Sequence, residues 1–187
     1  MAQAVANQRD SDELSVRLSL DQQRYEVGER IQVEVRVENQ SDQPLVVSNL
    51  ISEVDNSEGY VAFKLTDRAG HDQPPQTRLI GDSFAPFPQK PDWRTVLGRW
   101  LVLHPKDSIT SHLELDKAMF PCLTKAGKYE ISATYSSAGL SFGLNYGKLG
   151  LTAPDVASLP FRSWGGNAHS NSVWVTIVNG KVPSDKQ

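Results

Sequence analysis

Hydrophobic and polar residues alternate along most of this chain. Ile31, Val33, Val35 and Val37 are separated by Gln32, Glu34, Arg36 and Glu38, the cleanest period of two in the sequence. Side chains on a strand point alternately to opposite faces, so this stretch predicts a strand with one face on a core and one toward water. Leu14, Val16, Leu18 and Leu20 alternate with Ser15, Arg17 and Ser19 in the same way. Tyr129, Ile131, Ala133 and Tyr135 alternate with Lys128, Glu130, Ser132 and Thr134. Further strands are predicted from Leu45 and at 60–66, 99–104, 109–115 and 172–179, with a short edge strand at 77–80. Turn-forming clusters separate them: Gly28 within 21–29, the run 39–44, the hairpin-type run 67–72, and His104-Pro-Lys-Asp107. A single helical turn is predicted at 116–120, with Asp116 as its N-cap. About eight strands and almost no helix predict an all-β antiparallel sandwich of Greek-key order.

Two stretches break the alternation. Residues 82–97 place Phe84, Phe87 and Trp93 among prolines, and residues 137–170 carry Phe142, Tyr146, Phe161 and Trp164 between the last two predicted strands. Irregular loops this long are uncommon unless functional or disordered, and such apolar content argues against disorder. Either they fold back to cap the core, or they present aromatic rings to a partner, since Tyr, Trp and Phe are enriched at interfaces. These seven aromatics form the candidate interaction surface. No linker divides residues 13–179, so one domain with two insertions is expected, after a mobile polar lead-in at 1–12 and before a polar tail at 180–187.

Composition narrows the partners. The chain has 187 residues, 39% of them hydrophobic, which suffices for a two-layer core. Nineteen basic and 22 acidic residues leave a net charge of -3 without a basic cluster, which argues against a nucleic-acid partner or an anionic membrane. No apolar run approaches the ~20 residues needed to span a bilayer. Cys122 is the only cysteine, so no intrachain disulfide forms, and its "MFPCL" setting reads as a small buried hydrophobe. The opening residues lack the basic and apolar regions of a signal peptide. They read as a polar lead-in after a processing site, giving a periplasmic or secreted location as the expectation and the cytoplasm as the alternative.

The stretch "LSVRLSLDQQRYEVGERIQVEVRVENQSDQPLVV" resembles the opening of bacterial extracytoplasmic immunoglobulin-like modules. Macroglobulin-type domains, the intracellular proteinase inhibitors of bacilli and the N-terminal domains of secreted metalloproteases share the pattern. Gly127-x-Tyr129 resembles the tyrosine-corner region at the head of strand F in such folds. "LVLHPKDSITSHLELDKAMF" resembles the same families, where a Leu-x-Pro-Gly-(Glu/Asp)-Ser turn precedes the strand; Lys106 stands where glycine is usual. "WGGNAHSNSVWVTI" resembles their Trp-x-Gly-x-x-x-Ser-Asn-x-Val ending. The resemblance implies an immunoglobulin-like β-sandwich.

Tests for chemistry return little. His71, His104, His112 and His169 show no i, i+4 pairing and no His-Glu-x-x-His, and one cysteine cannot build a thiolate metal site. There is no Gly-x-Ser-x-Gly and no phosphate-binding glycine loop. His112 reads as part of a solvated strand face and His169 as a loop residue. Asp55-Asn-Ser-Glu-Gly59 reads as an Asx-type turn rather than a calcium loop, and Asn39-Gln-Ser41 is a formal glycosylation sequon, meaningful only in a eukaryotic secreted context. The expectation is a non-catalytic module, without cofactor or metal, that binds another protein through its aromatic-rich loops. A proteinase inhibitor and a polysaccharide-binding module are the alternatives.

Overall fold

The computed structural model describes residues 13–48, 59–75, 100–137 and 162–180. These residues are nearly all β-structure, in antiparallel and mixed sheets. Twelve strands occur among them: β1 (Leu14–Leu20), β2 (Arg24–Glu26), β3 (Ile31–Asn39), β4 (Leu45–Ser48), β5 (Gly59–Asp67), β6 (Asp72–Gln73), β7 (Trp100–Leu103), β8 (Ser108–Leu115), β9 (Gly127–Ser137), β10 (Arg162–Ser163), β11 (Gly166–His169) and β12 (Val173–Val178). The eight strands expected from the sequence are present. Of the four unforeseen ones, β2, β6 and β10 have two or three residues, too few to display a period, and the four residues of β11, Gly-Asn-Ala-His, carry no apolar alternation. The proposed edge strand at 77–80 lies outside the described residues.

Three sheets result, ordered β1-β3-β8, β10-β4-β7 and β2-β12-β9-β5-β6, with β11 also pairing β9. Their inward residues join one hydrophobic cluster, so the molecule has a single core among the described residues. Ile31, Val33, Val35 and Val37 of β3 are each at most 2% exposed, as the alternation requires. Burying one such side chain contributes roughly 2 kcal/mol, and a one-residue slip of β3 would turn all four outward. That loss, on the order of 8 kcal/mol, is comparable to the whole stability of a typical domain, so the register is fixed by the core.

β9 is the spine of the large sheet. β5 pairs with it antiparallel over Gly59–Asp67. Its other edge is shared: β11 takes Thr134 to Ser137, and β12 takes Gly127 to Ile131. Gly127 is the first residue of this strand rather than part of the loop before it. A Cβ there would lie 3.1 Å from the Tyr129 hydroxyl oxygen and 3.2 Å from two ring carbons, so the Gly-x-Tyr pair is a matter of close approach. The Tyr129 hydroxyl donates to the carbonyls of Cys122 (3.1 Å) and Lys125 (3.3 Å), pinning the strand head to the short 3-10 turn Pro121–Thr124. Burial pushes the Tyr129 phenol above its ordinary range. Asp116 does cap the preceding turn: its carboxylate accepts from the N–H groups of Ala118 and Met119, both at 2.9 Å.

The sheets are stitched by a few polar residues. Asn39 closes β3 at an inward position and is 0% exposed. Its Nδ2 donates to Gln43 O (2.8 Å) and to Leu103 O (2.9 Å) of β7. Its Oδ1 accepts from the N–H (2.9 Å) and hydroxyl (2.7 Å) of Ser41. Lys106, at the turn where glycine is usual, takes φ 71°, and its N–H donates to Asn39 O at 2.9 Å. The left-handed conformation costs a non-glycine residue about 1 kcal/mol, which this bond offsets in part. At the far edge of β1, Asn171 pairs its side-chain amide with the Leu18 backbone: Leu18 N–H donates to Oδ1 (2.9 Å) and Nδ2 donates to Leu18 O (3.0 Å). Asn171 thereby substitutes for a neighbouring strand and joins the β1 sheet to the β9 sheet.

Candidate interaction surface

Six of the seven nominated aromatics, Phe84, Phe87, Trp93, Phe142, Tyr146 and Phe161, lie outside the described residues. The seventh is in the core. Trp164 is 1% exposed, and its ring stacks on Tyr135 with centroids 5.7 Å apart and planes 17° from parallel. Its backbone N–H donates to Val46 O of β4 at 2.9 Å, so the residue bolts the small β4 sheet to the large one. This corrects its place on the candidate surface: Trp164 follows the capping alternative, because β10 and β11 carry residues 162–169 back onto the sheets. The 137–170 stretch is therefore partly strand, with Ser137 ending β9 and His169 ending β11.

A different tryptophan is exposed. Trp174 sits on the outer face of β12 at 42% exposure, opposite Glu130 of β9. Lys128 places its ammonium 4.8 Å from the indole centroid, within cation–π range. The period-two pattern does put Trp174 on the solvent side; what it lacks is any sign that this ring, unlike Trp164, stays uncovered. Around it the outer face is polar. Thr134 Oγ1 lies 3.0 Å from His169 Nδ1, Ser136 donates to Asn167 Oδ1 at 2.6 Å, and Lys64 pairs with Asp72 at 3.0 Å.

The remaining nominated groups are surface features or structural pegs. The Thr134–His169 contact has the spacing of a nucleophile and a base, yet among the described residues no carboxylate orients the imidazole, and the pair lies exposed on an open sheet. His112 is exposed on β8, with Glu34 3.9 Å away. His71 lies 3.2 Å from Asp67 in the β5–β6 hairpin, where the His71 N–H in particular holds the Asp67 carboxyl below its ordinary range. Arg30 and Gln32 do the same for Glu114, with the Gln32 amide the larger influence. Cys122 is half-buried against the core, and burial pushes its thiol up, away from the reactive thiolate. No three His, Cys, Asp or Glu gather in metal-holding geometry among the described residues, and Asp55 to Glu58 lie outside them. No described helix is long and apolar enough to cross a membrane.

No family model and no curated protein matches this chain. Among solved structures it is similar to one titled "AvmM Catalyzes Macrocyclization in Alchivemycin A Biosynthesis", at 15% identity over 94% of this chain and 93% of that one. The TM-score is 0.36, an overlap that carries no argument about fold or chemistry.

Proposed function

We propose that this chain is an immunoglobulin-like β-sandwich that works as a non-catalytic module binding another protein, in the periplasm or outside the cell. The tyrosine hydroxyl returning to the backbone four residues upstream, and the one core beneath the sheets, support the sandwich reading. The observation that carries the binding reading is Trp174, a large ring left 42% exposed on the outer face of the large sheet. Tryptophan is the residue type most enriched at binding hot spots, and an ammonium against its face sets a mixed apolar and charged contact. Any aromatics presented by 82–97 and 138–161 would add to the same module.

The test compares the full chain with Trp174→Ala and with His112→Ala on the β1-β3-β8 sheet, each used to recover partners from its native host. One stoichiometric protein retained by the wild type and His112→Ala, and lost with Trp174→Ala, is the expected result. Retention on a polysaccharide that Trp174→Ala abolishes would replace the protein partner by a glycan. An unchanged partner on Trp174→Ala would overturn the assigned surface.

A further inference from the structure

We infer that Asn39 is a glycan acceptor only in the unfolded chain, so that folding and N-glycosylation at Asn39-Gln-Ser41 exclude one another. The sequon is formally complete. In N-glycosylation the amide nitrogen bonds to the anomeric carbon of a polyisoprenyl-pyrophosphate-linked oligosaccharide. The anomeric C–O bond breaks, the lipid pyrophosphate leaves with its electron pair, and one Nδ2 proton passes to a base of the transferase. The product amide keeps a single N–H.

In the folded protein both Nδ2 hydrogens are already committed, one to Gln43 O at 2.8 Å and one to Leu103 O at 2.9 Å. The side chain is 0% exposed, so neither the transferase nor its donor reaches the nitrogen. Ser41, the residue that completes the sequon, is held too: its hydroxyl donates to Asn39 Oδ1 at 2.7 Å and lies 2.9 Å from Gln43 O. A glycosylated Asn39 would leave one of the two carbonyls without its donor and place a sugar where β3, the 40–44 turn and β7 meet. The closure is chemical as well as steric. Asn39 is also the last inward position of β3, so a glycan there would sit at the rim of the core that fixes the β3–β8 register.

The experiment incubates the full chain with a purified oligosaccharyltransferase and a lipid-linked oligosaccharide donor. Its partner arm is the variant Val35→Ala combined with Ile131→Ala, which removes two fully buried core side chains and is verified unfolded by near-UV circular dichroism. The unfolded variant is expected to be modified at Asn39 at least about 100-fold faster than the folded wild type, because reaction of the folded chain waits on a rare opening of β3. Wild type chemically unfolded, glycosylated on dilution and freed of denaturant is expected not to regain its near-UV signal. Equal rates in the two arms, no modification of the unfolded variant, or a glycosylated wild type that refolds would each overturn the proposal.

Discussion

Two asparagines do similar work in different surroundings. Asn39 and Asn171 each use a side-chain amide as a substitute peptide, accepting through Oδ1 and donating through Nδ2 to main-chain groups. Asn39 is 0% exposed at the end of β3, whereas Asn171 is exposed between β11 and β12. An unmade hydrogen bond is costly in proportion to how completely water is kept from the groups left behind, not to how many bonds are drawn. The two sites therefore form an internal control on what a polar stitch contributes.

The largest effect is expected from Asn39→Ala. It leaves the partners of four hydrogen bonds unmatched, the Leu103 carbonyl buried and the other three partly buried, for a loss of about 3 kcal/mol. Urea unfolding should show a lower midpoint at unchanged slope. A loss under about 1 kcal/mol would remove the distinction between the two asparagines.

Tyr129 offers an intermediate case, a 6% exposed ring whose hydroxyl reaches two carbonyls. Tyr129→Phe is expected to lower stability by about 1 kcal/mol, measured in the same way. Burial raises the phenol pKa of Tyr129, and that of Tyr25, whose hydroxyl also donates to Asp21. A folded pKa above the unfolded value of 10.0 means the stabilisation is complete below that pH and drains away as pH rises beyond it. Thermal midpoints should thus fall above pH 10, and Tyr129→Phe should flatten part of that decline. A wild-type midpoint that stays level there would count against both tyrosines.

Asn171→Ala is expected to have the smallest effect, at or below about 1 kcal/mol, since water reaches the Leu18 N–H and C=O once the amide is gone. Amide hydrogen exchange is the sharper probe: protection at Leu18 should drop while that of Val35 in β3 holds. Should Asn171→Ala destabilise the protein as much as Asn39→Ala, burial would not be the deciding variable.

Much of this contrast is invisible along the chain. Both asparagines occupy turn-like polar runs, and nothing in Asn39-Gln-Ser or Ser-Asn171-Ser tells which amide is enclosed. The same holds for Trp164 and Trp174. Parity does place Trp174 on the water side of its strand. Trp164 lies in a stretch without alternation, and its burial depends on β10 and β11 folding onto β4 and β9, partners more than 25 residues away in sequence. The candidate surface was for that reason less legible than the fold, and six of its seven nominated aromatics fall outside the described residues.

What the chain determines locally is the all-β character, the eight expected strands and the inward faces of those that alternate, because side-chain direction on a strand follows from backbone geometry alone. It also determines turn positions such as Gly28 and Gly70, both of which take positive φ. The tertiary structure decided the rest. It set the sheet order and the short strands, the reason Gly127 precedes Tyr129, the enclosure of Asn39 and Trp164, and the exposure of Trp174. Each of these is a contact between residues distant in sequence, and burial is a property of the neighbours a residue acquires rather than of the residue.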